Sequence, residues 1–98
     1  MKKIQANKAE STLFANPDIV FREEGKEALL FDPSNGAIKV LNPTAKIIWK
    51  ILDGKNTLSK ISEKLEKKFK DENPKRIESD VKIFLKKLEG FGYLGKKI

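Results

Sequence analysis

The stretch "AIKVLNPTAKIIWKILDG", residues 37–54, changes its periodicity halfway along. Up to Leu41 the side chains alternate, with Ile38 and Val40 on one face and Ala37, Lys39 and Leu41 on the other, as in a β-strand. Asn42-Pro43 then marks a boundary. Proline fixes its own φ and keeps the residue before it out of the helical region, and Asn as N-cap with Pro at the first helical position opens a helix. With Ala45 set at zero, Ile48, Trp49 and Leu52 fall within about 60° of it, and Ile47 and Ile51 lie roughly 200–240° round. Two apolar sides imply a helix held between two surfaces, so Trp49 is expected in the core. Asp53-Gly54 is expected to end the helix, the glycine supplying a left-handed cap.

Working outward, the preceding residues read as two more strands. "DIVFRE" and "EALLFD" are rich in apolar and β-branched side chains, and "EGK" and "PSNG" are short turns. Loops this short exclude parallel crossovers, so residues 18–41 form a three-stranded antiparallel meander. Downstream, Thr57 caps a second helix with Leu58, Ile61, Leu65 and Phe69 in one stripe. A third helix starts near Pro74 or Ile77, carries Ile77, Val81, Phe84, Leu85 and Leu88 on one face, and ends at Gly90 and Gly92. The order β-β-β-α-α-α gives an α+β domain whose last two helices are related as a helix-turn-helix. Residues 1–16 are expected to be flexible or loosely packed, with Ile4, Leu13 and Phe14 as their side chains suited to packing or self-association. Residues 17–95 form the domain and 96–98 a basic tail.

Ninety-eight residues suit one domain. The chain has no cysteine and no histidine, which removes disulfides, thiolate nucleophiles, Cys/His zinc sites and histidine bases together. No glycine-rich phosphate loop or nucleophile elbow is present. The carboxylates Glu63, Glu66, Asp71, Glu72, Glu78 and Glu89 sit among lysines, as solubilising surface charges do. Catalysis and cofactors are therefore not expected. The N-terminus lacks the apolar run of a secretory signal, and no segment has the apolar length of a membrane span, so a cytoplasmic location is expected. The net charge of +7 is uneven: residues 43–98 hold fifteen basic and eight acidic side chains, whereas residues 17–42 are net acidic.

Binding remains. The strand "AIKVL" has one sequential neighbour in a meander, and its other edge is a template for an added peptide strand. Lys39 discourages uncontrolled pairing there and attracts acidic peptides. On the third helix, Ile83 lies about 140° from Leu88, beside Asp80 and Lys87, where an apolar residue is off-pattern.

Two segments, "LLFDPSNGAIKVLNPTAKIIWKILDGKNTLSKISEKL" and "DVKIFLKKLEGFGYL", resemble the PqqD-like family, the recognition domains (RiPP recognition elements) for ribosomally made, post-translationally modified peptides. The resemblance rests on Leu41, Asn42, Ala45, Ile48, Leu52, Asp53, Gly54 and Thr57, then on Asp80, Val81, Phe84, Leu85, Leu88, Gly92, Tyr93 and Leu94. It implies a winged helix-turn-helix without catalytic activity. Such a domain holds the leader segment of a precursor peptide as an extra strand and presents the remainder to a modifying enzyme, often a radical S-adenosylmethionine (radical SAM) protein. Carried onto this sequence, the site is Ala37, Ile38, Lys39, Val40 and Leu41 with Asp80, Ile83, Phe84 and Lys87. The chain is expected to be a monomer or weak homodimer with no membrane partner. The competing reading is a winged-helix DNA binder, supported by the net charge and by Lys75, Arg76, Lys82, Lys86 and Lys87. Glu78, Asp80, Glu89 and the acidic sheet region count against it, and nucleic acid is not expected as a partner.

Overall fold

The computed structural model describes residues 12–96. The meander forms as expected, with β2 (Val20–Glu24), β3 (Glu27–Asp32) and β4 (Ala37–Leu41) in an antiparallel sheet ordered β2-β3-β4. Its inner face carries Phe21, Ala28, Leu30 and Leu41, of which the last three are buried. Three helices follow: α1 (Pro43–Lys50), α2 (Leu58–Lys68) and α3 (Pro74–Phe91). The chain is α+β, with the expected three-stranded antiparallel meander followed by three helices.

The N-caps fall where the sequence puts them. Asn42 Oδ1 accepts from the Ala45 N–H at 2.8 Å, Thr57 Oγ1 from the Lys60 N–H at 3.2 Å, and Asn73 Oδ1 from the Lys75 N–H at 2.9 Å. Helix α3 ends at Gly92, whose φ of 82° is left-handed. The Tyr93 N–H donates to the Leu88 carbonyl and the Gly92 N–H to that of Glu89, which together make a Schellman turn. Gly90 stays inside the helix.

Helix α1 buries Ile48 and Trp49, while Ile47 and Ile51 pack half-buried against the core. Trp49 stacks on Phe21 of the sheet, ring centroids 6.4 Å apart. The polar side of α1 is also tied down. Lys46, its side chain only 14% exposed, pairs with Glu23 at 2.9 Å and donates to the Gly25 carbonyl at 2.8 Å. Lys50 reaches the same carboxylate at 3.1 Å. These bonds, that from Lys46 foremost, hold the Glu23 carboxyl below its ordinary range.

Three further strands correct the expected count. β1 (Thr12–Ala15), β5 (Asp53–Thr57) and β6 (Leu94–Lys96) form a second antiparallel sheet ordered β5-β1-β6. Residues 12–15 are thus a paired strand. Leu13 is buried, and Asn16 donates its side-chain N–H to the Gly92 carbonyl at 2.9 Å. Ile4 lies outside the described residues. Gly54 does adopt a positive φ, 83°, but not as a helix cap. Leu13 faces Asn56 while Phe14 faces Asp53, so Gly54 and Lys55 bulge from β5. The end of α1 is closed instead by the Ile51 and Leu52 N–H groups, which donate to the Ile48 and Trp49 carbonyls at 3.1 Å each, and by buried Asn56, whose amide donates to the Ile51 carbonyl at 3.0 Å and to Asp53 at 3.2 Å. Among the described residues, no helix is long and apolar enough to cross a membrane.

Candidate functional site: the free edge of β4 and the flank of α3

Among the described residues, β4 pairs with β3 on one side only. An antiparallel edge strand directs the N–H and C=O of alternate residues away from its sheet, where an added strand can meet them. What lies beside this edge follows from the two ends of α3. Near its start, Arg76 and Asp80 line a cleft with Thr44, three residues beyond the end of β4. At its end, Phe91 and Gly92 line another with Asp32, Pro33 and Ser34 of the β3–β4 turn. Helix α3 therefore runs alongside β4 in the opposite direction.

The strand presents two different faces. Lys39 points inward, its ammonium 4.2 Å from the centre of the Phe91 ring, a cation–π contact joining strand to helix. The same ring meets Tyr93 at 5.3 Å, tilted by 52°. Ala37 is half-buried, and Leu41 is buried in the core. Leu41 therefore lends no side chain to a partner at this edge. Ile38 and Val40 point to the outer face, away from α3, and are 60% and 64% exposed.

On α3, Asp80, Phe84, Lys87 and Phe91 fall within about 60° of one another and form one stripe. Asp80 and Lys87 are exposed, and Phe84 is half-buried against the core. Ile83, 53% exposed, sits roughly 40° beyond Lys87 on the solvent side of the stripe. The inward side chains Ala37 and Lys39 thus lie on the side of the sheet toward α3, whose stripe carries Asp80, Phe84 and Lys87, while Ile38 and Val40 lie on the opposite face.

Sequence reasoning missed Phe91, which is 46% exposed, faces the Lys39 ammonium and lines the cleft at the β3–β4 turn. The spacing 80, 84, 87, 91 carried the signal, at the i+4, i+3, i+4 steps of one helix face. It missed the outer sheet face too. Val20, Phe31 and Ile38 are cross-strand partners in one exposed row, and Leu29 and Val40 pair in the next.

Residues 27–94 match the family model described as Coenzyme PQQ synthesis protein D (PqqD). No curated protein sequence matches. Among solved structures, TbiB1 in complex with the TbiA(beta) leader peptide shares the fold with a TM-score of 0.75 and 18% identity, over 87% of this chain and 98% of that one. The heterocyclase TruD does so with a TM-score of 0.60 and 21% identity, over 89% of this chain but only 12% of its own length. At these identities the two structures show the fold alone.

Proposed function

We propose a peptide-binding role from one premise: the chain belongs to the PqqD family. The protein captures the leader segment of a ribosomally made precursor peptide. The leader adds as a fourth strand to the free edge of β4, with its inward side chains in a channel lined by Ala37, Lys39, Asp80, Phe84 and Lys87. The bound precursor is then presented to a separate modifying enzyme, a radical SAM protein being the expected type. The chain itself is a non-catalytic carrier and uses no cofactor.

The observation carrying this reading is the edge of β4, unpaired among the described residues, with the α3 stripe running beside it. Main-chain hydrogen bonds supply affinity in strand addition, and alternate side-chain pockets supply specificity. A protein of the same fold solved with a leader peptide gives independent support.

The test is to titrate the isotope-labelled protein with the leader peptide encoded by a neighbouring short reading frame, following backbone amides by NMR. The expected result is saturable shifts concentrated at residues 37–41 and along α3, with slowed amide exchange in β4. Binding that leaves the β4 amides unmoved would sink the strand-addition mechanism.

A further inference from the structure

The outer face of β4 has no place in the channel, yet it is the more apolar of the strand's two faces. Ile38 and Val40 stand exposed there, continuous with Phe31 and Val20 across the sheet. The inner face between them carries one cation, Lys39, and Lys87 lies on the α3 stripe opposite. Successive side chains of an added strand point to opposite faces, so a peptide residue opposite Lys39 has neighbours opposite Ile38 and Val40.

From this geometry we infer a selection rule that rests on the strand-addition reading above: the edge prefers peptides in which an acidic residue stands between two β-branched or aromatic residues. The acid faces Lys39 and Lys87 in the channel. Its two neighbours extend the exposed apolar rows of the sheet, covering Ile38 and Val40. The outer face of the sheet is thus half of the peptide site, and it reads residues that never enter the channel. Charge and apolar complementarity alternate along β4 with period two, and one-residue slippage places apolar groups over Lys39 and an acid over Ile38 or Val40. The rule therefore fixes register as well as composition.

Three synthetic dodecapeptides with identical Ser/Thr-rich flanks test it, with central residues Val-Glu-Val, Ser-Glu-Ser and Val-Lys-Val. Each is titrated into the labelled protein, with affinities read from the amide shifts of residues 37–41. Two matched apolar cross-strand pairs predict a preference for Val-Glu-Val over Ser-Glu-Ser on the order of fivefold to tenfold. Reversing the charge opposite Lys39 is expected to weaken binding at least as much. The double variant Ile38→Thr/Val40→Thr keeps β-branched side chains at exposed positions. It should lose the valine preference and keep the preference for Glu over Lys. Lys39→Gln should do the converse. Equal affinities for all three peptides, with shifts still centred on β4, overturn the selection rule and leave strand addition standing. No shift at β4 with any peptide overturns both.

Discussion

The contact between Lys39 and Phe91 joins the edge strand to the end of α3, and its strength can be measured by a double-mutant cycle. Lys39→Met removes the ammonium and keeps the apolar stem. It should cost about 0.5–1 kcal/mol, the range for a cation–π contact that still sees solvent. Phe91→Leu keeps an apolar side chain and loses both the cation contact at 4.2 Å and the tilted pair with Tyr93 at 5.3 Å. The aromatic pair adds about 0.5–1.5 kcal/mol, so this variant should lose about 1–2.5 kcal/mol in all. Once Phe91 is gone the ammonium has no ring to face, so the double variant should be little worse than Phe91→Leu alone. The expected coupling energy is about 0.5–1 kcal/mol, extracted from urea denaturation of the four proteins at one ionic strength. Additive losses, with coupling under about 0.3 kcal/mol, would show that strand and helix are not tied at this point.

Two further perturbations probe the frame around the site. Asn56→Ala leaves the Ile51 carbonyl at the end of α1 without its donor and should cost about 1–3 kcal/mol in urea denaturation; an unchanged midpoint would remove Asn56 from its capping role. Glu23 has a folded-state pKa below its ordinary value of 4.5, because Lys46 and then Lys50 hydrogen-bond its charged form. Its contribution is fully present above 4.5 and is lost as pH falls through the depressed value, so Glu23→Gln should flatten stability against pH in that acidic window. A variant that keeps the wild-type acid slope would place the titrating group elsewhere.

The parts of this fold that could be read from residues alone are those with local signals. Each helix start has an Asn or Thr cap, and the meander has short turns between apolar runs. The second sheet has neither. "DGKNT" of β5 does not alternate, β6 is three residues long, and β1 is a four-residue strand held entirely by partners some 40 to 80 positions away. Such strands exist through tertiary pairing rather than propensity. Gly54 shows the same limit: its positive φ was legible, but whether it capped a helix or formed a bulge depended on a strand not visible locally. At the site, the alternation along β4 separated its two faces correctly. Which face would meet α3 was undecided, because "VFREE" and "EALLFD" carry apolar side chains on both sides. Phe91 escaped notice because it sits where α3 ends, between glycines that read as a tail.

The second sheet has one more consequence. Leu13 and Lys96 are cross-strand partners, so the polypeptide enters and leaves this domain at neighbouring points. The β4 edge belongs to the other sheet. The two ends of the described segment therefore share one doorway, held by strand pairing in the sheet that does not contain β4.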